Sequence, residues 1–310
     1  MSQPAPYHTP RHPDGGATLT VQCDAENATL TSGPCGPELR LAIPLLGGSG
    51  QHIIAAGRSS GTDGLRLIKS QDMLAGAVVF PRTADLRSAV RDGYRRILES
   101  TRGLHLWRIW NTVPDINACV SGMENYRAFN AGRFDAIAAA LGLGFRGQLP
   151  AASAVGCRGS NAGLYFLAGE VTGRHFENPQ QASSWDYPSE FGNPPPAFAR
   201  GTVVETASAV RYFLSGTAGI RGHATIGTSL SEQFQVMAEN IQLMLKVMET
   251  PDTASGDWRC FLRHESDLPA AQSLFAAAFP QAYNNIQWLR ADICRADLLI
   301  EIEAAFYIAL

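Results

Sequence analysis

The sequence lacks the features that define several large classes of protein. Its net charge is only −3 over 310 residues, so there is no basic field to attract nucleic acid or an anionic membrane surface. It has no run of about 18 apolar residues, which excludes a membrane-spanning helix. Residues 1–16 are broken by prolines and contain no apolar run, so we expect a flexible leader there and no signal peptide. A ligand must therefore be recognised in a local site.

Metal and disulfide signals are also missing. The six cysteines, at positions 23, 35, 119, 157, 260 and 294, form no CxxC pair and have no histidine at metal-ligand spacing. This scatter argues against a zinc site and against a disulfide framework. We therefore expect no bound metal, reduced thiols and a cytoplasmic location.

The composition that is present, 45% hydrophobic and 17% charged, is typical of a soluble globular protein. A chain of 310 residues can build two domains with separate cores. We assign residues 17–170 to an N-terminal domain and residues 201–310 to a C-terminal domain. Between them, residues 171–200 combine prolines with aromatic and amide residues. Long segments of this kind inside compact proteins are usually functional, so we predict a proline-rich active-site loop there.

The two halves of the chain repeat one order of elements. Apolar residues at helical spacing predict two helices in each half, at residues 85–100, 121–143, 231–247 and 267–279. Ser121 and Glu124 have the spacing of a capping box for the second of these helices. A tryptophan-containing strand follows the first helix of each half, and a hairpin closes each half. This order predicts an α+β fold of two related units, each a mixed sheet with helices on one face.

Two glutamates stand out near the end of the chain. In residues 291–304, Glu301 and Glu303 alternate with isoleucines, a period of two that predicts a half-buried strand with both carboxylates on one face. A glutamate buried without a partner is costly, so these carboxylates are either solvated or functional. Cys294 stands seven positions before Glu301. Because an odd spacing places two residues on opposite faces of a straight strand, both can reach one pocket only if a turn or bulge intervenes at residues 295–297.

Several separated segments, in one order, resemble a known family. They are WRIWN at residues 107–111, PDIN at 114–117, ENYRAFNAGR at 124–133, LPAASAVG at 149–156, ENP at 177–179, SGTA at 215–218 and GH at 222–223. Together they are similar to the chorismatase family typified by the FkbO and Hyg5 proteins. The second half by itself also resembles the RidA (YjgF) family.

That resemblance implies an enzyme that removes the enolpyruvyl group of chorismate as pyruvate, with no metal and no organic cofactor. The residue at the position of Glu301 is then the proton donor, which protonates the methylene carbon. A cysteine at the position of Cys294 implies the branch that forms 3-hydroxybenzoate, in which the substrate's own hydroxyl attacks to give an epoxide. The fold implied is a pair of RidA-like units in a pseudo-oligomeric arrangement, so we expect a monomer whose partner is the small-molecule substrate.

Chorismate is a dianion, so its site needs groups that hold two carboxylates. Arginine is the natural clamp because its guanidinium can pair with a carboxylate through two hydrogen bonds. Arg133 and Arg200, in or beside the family-like motifs, are our first choices, although an arginine on a helix is more often a solvated charge. Tyr126 and Tyr187 are candidates to hydrogen-bond a carboxylate or hydroxyl, the alternative being core or rim aromatics.

Small residues after position 214 predict a strand whose backbone a substrate can approach closely. Ser215, Ala218 and Gly219 are therefore candidates for the binding site. In the family that the sequence resembles, one position in this segment is glycine or alanine depending on the product branch. Whether Ala218 or Gly219 holds that position stays open. Arg108, between two tryptophans, and His223 are further candidates, the alternatives being an outward-facing charge and a structural histidine.

Other interpretations also stay open. Glu301 can be a solvated strand carboxylate and Cys294 a small buried apolar residue, since cysteine is often buried. Within the enzyme classes, water attack would give a non-aromatic dihydroxycyclohexadiene carboxylate, and a RidA-like imine deaminase is a further alternative. A small-molecule-binding module without catalysis is the alternative outside the enzymes.

Overall fold

The computed structural model describes residues 16–62, 64–83, 85–250 and 256–310, so the predicted leader, apart from Gly16, lies outside the described residues. The first half contains β1 (Ala17–Gln22), β2 (Thr29–Gly33), β3 (Gly36–Arg40), β4 (Leu45–Gly47), β5 (Gln51–Thr62), β6 (Leu65–Lys69), β7 (Leu74–Pro81), α1 (Leu86–Ser100), β8 (His105–Pro114), β9 (Cys119–Val120), β10 (Met123–Glu124), α2 (Asn125–Leu141), β11 (Ala151–Cys157) and β12 (Asn161–Gly169). The second half contains β13 (Arg174–Phe176), β14 (Gly201–Glu205), β15 (Ala209–Ala218), β16 (Ile220–Arg221), β17 (Ala224–Thr225), α3 (Leu230–Val247), β18 (Asp257–Leu262), α4 (Leu268–Ala278), β19 (Ile286–Arg290) and β20 (Ile300–Ala309).

The strands of the described ranges build two large sheets. The first has the order β11, β8, β12, β7, β6, β5, β1, β3, β2, and the second has the order β13, β14, β15, β20, β18, β19, β4. The sets β7-β12-β8-β11 and β15-β20-β18-β19 share one pattern, in which the last pair is parallel and the other pairs are antiparallel. The predicted α+β fold of two related units with mixed sheets is therefore confirmed.

The closing strands of each half do not form the predicted hairpin. β8 lies between β11 and β12, and β18 lies between β19 and β20. In each half a helix lies in the connection between the tryptophan-containing strand and the next strand of the same sheet, and a strand-helix-strand connection produces a parallel pair. β11 therefore takes the place beside β8, and β19 takes the place beside β18.

Helices cover the outer face of each sheet, and the two inner faces pack against each other. α1 and α2 lie on the first sheet over a core that includes Tyr94 and Phe166, and α3 and α4 lie on the second over Trp258. A third core, with Trp110 and Phe213, joins the inner faces. None of the helices in the described part of the chain has the length and apolar character needed to cross a bilayer.

The second helix begins later than the sequence predicts. Ser121 and Gly122 form the two-residue turn between β9 and β10, with φ of 52° and 81°. Positive φ at both central residues is typical of the tight hairpin turn that matches strand twist. Ser121 is therefore not a helix cap, and the predicted capping box is wrong: α2 starts at Asn125 and has no side-chain cap at Glu124.

The closing strand β20 is buried on both faces, which corrects the expected half-buried strand. It starts at Ile300 and lies between β15 and β18. Ile300 and Ile302 pack in the core under α3 and α4. Glu301 and Glu303 are only 4% and 3% exposed, because their face of the sheet meets the inner face of the other sheet.

Candidate active site

A cavity of about 450 Å³ lies where the two halves of the molecule meet. Its walls come from α2 and β11 in the first half, and from β15, the start of β20 and the loop before β20 in the second. The proline-rich loop, residues 171–200, covers another side. The predicted site residues that line this cavity are Glu301, Cys294, Arg133, Arg200, Tyr126, Tyr187 and Ala218.

Glu301 presents a buried carboxyl group to this cavity. Its Oε1 atom has no hydrogen-bond partner in the described chain. Burial and, secondarily, the charge of Glu303 raise the pKa of Glu301 to about 8, while Arg108 and Arg200 act in the opposite direction. At neutral pH the carboxyl group is therefore mostly protonated and able to donate a proton.

Glu303, on the same face of β20, does not line the cavity. Its oxygens accept hydrogen bonds from Arg108 Nη2 at 2.7 Å and from Arg259 Nη1 at 3.2 Å. The three side chains are almost fully enclosed between the sheets. This arrangement makes Glu303 the anion of a buried ion-pair cluster, which is costly to break.

Cys294 reaches the same cavity because the chain turns between it and β20. The N–H of Leu298 donates to the carbonyl of Arg295 at 3.2 Å, which closes the turn required at residues 295–297. Burial and, to a smaller extent, the charge of Glu301 raise the pKa of Cys294 to about 12, although a hydrogen bond with Tyr126 opposes the shift. The sulfur is thus a thiol, able to donate a proton or a hydrogen bond.

Three arginines line the cavity with nitrogen atoms that have no partner among the described residues. These atoms are Nε of Arg133, Nε of Arg200 and Nη2 of Arg295. Other atoms of the same groups are anchored: Arg200 Nη2 donates to the hydroxyl of Tyr187 at 2.7 Å, and Arg295 Nη1 donates to the carbonyl of His223 at 2.8 Å. Buried donors without partners are suited to binding carboxylates of a ligand.

Aromatic rings of the proline-rich loop pack on these guanidinium groups. The ring centre of Phe198 lies 5.9 Å from Arg133 Cζ and 5.1 Å from Arg200 Cζ. Phe191 lies 4.1 Å from Arg295 Cζ. Such contacts restrict the orientation of the cations, so the loop both covers the cavity and positions its positive charges.

A bulge in β15 brings the backbone against the candidate acid. The register with β20 shifts between Leu214 and Thr217. A Cβ atom on Gly216 would lie 2.3 Å from Glu301 Oε1, so a larger residue at this position would displace the carboxyl group. The Gly216 N–H donates to Ser153 Oγ at 3.0 Å, which ties the bulge to β11.

Two of the predicted residues near this bulge do not line the cavity. The hydroxyl of Ser215 donates to the carbonyl of Ala199 at 2.6 Å and accepts from the N–H of Ala152 at 2.9 Å, so it fastens β15 to its neighbours. A Cβ atom on Gly219 would lie 2.9 Å from the carbonyl oxygen of Gln233. Gly219 therefore allows close packing on α3. Of the three candidates in this segment, Ala218 lines the cavity, and Ser215 and Gly219 do not.

Arg108 and His223 also lie outside the cavity lining. Arg108 is 1% exposed and bonds Glu303, so the alternative of an outward position is wrong. Its guanidinium group bonds Glu303 within the sheet interface, and Arg108 itself does not line the cavity. The ring of His223 packs on Phe191, with centroids 5.6 Å apart, and its carbonyl anchors Arg295, which fits a structural role.

The lining residues that sequence reasoning missed include Ser153, Gly216 and Arg295. Arg295 follows Cys294 directly, and the predicted turn there was the signal that could have placed it in the pocket. Ser153 and Gly216 lie within family-like motifs, but only the bulge and the sheet contacts bring them together. Nothing in the local spacing of either residue reveals that contact.

The arrangement combines a protonated carboxyl group, a thiol and four arginines, Arg127, Arg133, Arg200 and Arg295, around one cavity. It can bind an anionic ligand and protonate it. Among the described residues, no cluster of three or more histidine, cysteine or acidic side chains is placed to hold a metal ion.

Comparison with known proteins identifies relatives with this arrangement of elements. Residues 53–168 match the family model described as chorismatase FkbO/Hyg5-like, N-terminal. A 3-hydroxybenzoate synthase of Streptomyces hygroscopicus is 35% identical over 72% of this chain and 70% of its own length. A chorismatase of Streptomyces rapamycinicus is 30% identical over 81% of this chain and 80% of its own. A chorismatase crystal structure matches 98% of this chain and 99% of its own, with 25% identity and a TM-score of 0.82.

Proposed function

This chain belongs to the FkbO/Hyg5-like chorismatase family, and we propose that it converts chorismate to pyruvate and 3-hydroxybenzoate. The observation that carries the proposal is the buried carboxyl group of Glu301, protonated at neutral pH, in a cavity lined by four arginines. The choice of product is supported by Cys294 beside that acid and by the 35% identical relative, which is named a 3-hydroxybenzoate synthase.

The arginines bind the substrate in this proposal. Chorismate carries two carboxylates, and Arg133, Arg200 and Arg295 line the cavity, each with a buried side-chain nitrogen that has no hydrogen-bond partner among the described residues. A charge-assisted hydrogen bond to a carboxylate is about twice as strong as a neutral one. Binding the dianion would thus neutralise the arginines and place the enolpyruvyl group at the acid.

Glu301 starts the reaction by protonating the methylene carbon of the enol ether. The resulting oxocarbenium ion weakens the bond between ring carbon C3 and the ether oxygen. The C4 hydroxyl then attacks C3, the C3–O bond breaks with its electrons staying on oxygen, and pyruvate leaves. The C4 hydroxyl loses its proton as the epoxide closes, and the Glu301 carboxylate is the base available to accept it.

Cys294 acts in the second stage as a proton or hydrogen-bond donor to the epoxide oxygen. Its raised pKa keeps the sulfur in the thiol form that this role requires. Opening of the C4–O bond and transfer of the C3 proton to the Cys294 sulfur restore the aromatic ring as 3-hydroxybenzoate and return the thiol. Chorismate supplies all the atoms of both products, and no water is consumed.

Incubation of the purified protein with chorismate in D₂O tests the proposal. We expect stoichiometric pyruvate with one deuterium in its methyl group, and 3-hydroxybenzoate identified by NMR. In Cys294→Ala we expect pyruvate release to continue while formation of 3-hydroxybenzoate slows or another product accumulates. A dihydroxycyclohexadiene carboxylate from the unmodified protein would contradict the epoxide route, and absence of pyruvate would contradict chorismate cleavage.

A further inference from the structure

The Ser153 hydroxyl has an unusual set of contacts for a buried serine in the cavity wall. Its oxygen accepts two hydrogen bonds, from Arg108 Nη2 at 2.5 Å and from the Gly216 N–H at 3.0 Å. Both groups are donors only, and a hydroxyl oxygen has two lone pairs and one proton. The two donors therefore occupy the acceptor capacity of Ser153, and its proton must point elsewhere.

In the described chain that proton has no acceptor. Ser153 is 6% exposed and lines the active-site cavity of about 450 Å³, whereas the second cavity that it lines holds only about 20 Å³, so a ligand that can accept its proton fits in the active-site cavity. Ser215 provides the contrast, because its hydroxyl accepts from Ala152 and donates to Ala199. The hydroxyl of Ser215 makes its hydrogen bonds within the protein, and the hydroxyl of Ser153 still has a proton to donate to a ligand.

Ser153 lies at the same end of the cavity as the acid. A Cβ atom at Gly216 would lie 2.3 Å from Glu301 Oε1 and 3.3 Å from Ser153 Cβ, so both side chains flank one glycine. In the proposed reaction Glu301 contacts the enolpyruvyl methylene. The hydroxyl of Ser153 is thereby directed to the part of the substrate that leaves as pyruvate.

We propose that Ser153 is a substrate-binding residue that donates a hydrogen bond to an oxygen of the enolpyruvyl group. This inference rests on the proposed function of the site. The donation to Ser153 from Arg108, whose charge is held by Glu303, polarises the hydroxyl and strengthens it as a donor. The role is recognition of the enolpyruvyl group, and the ring with its own carboxylate is held by other residues.

The test measures how tightly matched serine variants bind two ligands. All variants also carry Glu301→Gln, so that chorismate is expected to bind without turnover. Isothermal titration gives Kd for chorismate and for 3-hydroxybenzoate, which lacks the enolpyruvyl group. In Ser153→Ala we expect chorismate affinity to fall about tenfold or more, and 3-hydroxybenzoate affinity by less than about threefold. In Ser215→Ala, which removes a serine satisfied by the protein, we expect both affinities to change by similar factors.

An equal loss of both affinities in Ser153→Ala would overturn the inference, because a merely structural serine would affect both ligands alike. Ser153→Thr, which keeps the hydroxyl, should restore the wild-type ratio of the two affinities. If Ser153→Ala does not fold, Ser153→Cys, a near-isosteric but weaker donor, serves for the same comparison of ratios. Pyruvate release by the wild-type protein is measured in parallel. Absence of pyruvate would contradict both the proposed function and this inference. An unchanged ratio of the two affinities in Ser153→Ala would contradict only the inference.

Discussion

Two carboxylates separated by one residue on β20 face the same interior, but only Glu303 has cationic partners. Glu303 lies between the packed sheets, where Arg108 and Arg259 both bond it. Glu301 lies at the start of the strand, against the Gly216 bulge, and its Oε1 atom has no hydrogen-bond partner among the described residues. The difference indicates that the role of a buried glutamate depends on its partners: Glu303 is the anion of an ion-pair cluster, and Glu301, whose Oε1 has no partner in the described chain, is the proposed acid.

The largest expected effect comes from removing the unpaired acid. Glu301→Gln keeps the shape of the side chain but cannot donate a proton to carbon, so we expect pyruvate release to fall by about 10³-fold or more. Stability should not fall, because the glutamine carries no buried charge. Pyruvate formation and urea unfolding measure the two properties. Glu124→Gln, a second cavity carboxylate, is the control and should lower activity by less than about tenfold. Full activity in Glu301→Gln would contradict its role as the acid.

The paired glutamate should show the opposite behaviour. Glu303→Gln leaves two buried guanidinium groups without their anion, so we expect the free energy of unfolding to fall by about 3–5 kcal/mol. Urea unfolding monitored by tryptophan fluorescence measures this loss. Glu239→Gln breaks an exposed ion pair with Arg221 and should cost less than about 1 kcal/mol. Similar losses in the two variants would show that the buried cluster contributes no more than a surface pair.

The pH dependence of catalysis distinguishes the two carboxylates in a third way. The pKa of Glu301 is raised to about 8, so the acid is protonated below this pH and ionised above it. We expect kcat/KM to fall about tenfold per pH unit above that value. In Glu303→Gln the negative neighbour that raises the pKa is gone and Arg108 loses its counter-charge, so the fall should begin at lower pH. Chorismate consumption from pH 6 to pH 10 measures both profiles, and coincident profiles would contradict the coupling.

Local patterns were sufficient to predict much of the fold and part of the site. The helix periodicities and the repeated order of elements identified the two units, and the odd spacing of Cys294 and Glu301 predicted the turn before β20. Local patterns could not show that β8 separates β11 from β12, because pairing partners are decided by crossover connections. They also suggested a cap at Ser121 where the hairpin turn takes precedence.

The rest of the site depends on contacts between distant parts of the chain. Glu301 and Glu303 look alike in sequence, and only Arg108 and Arg259 on other strands make them different. Ser153 becomes distinctive only when the backbone of Gly216 and the side chain of Arg108 reach it. No periodicity or short motif carries such information, since each contact is set by tertiary packing.

The position of the short strand β4 affects how the protein folds during its synthesis. Although it comes from the first half of the chain, it forms the edge of the second sheet, where Leu45 and Gly47 pair with Leu289 and Trp288. During synthesis these early residues have no partner until almost the whole chain has been translated. At about 5–20 residues per second, that wait is on the order of tens of seconds. The nascent N-terminal half must remain soluble for that time while β4 has no strand to pair with.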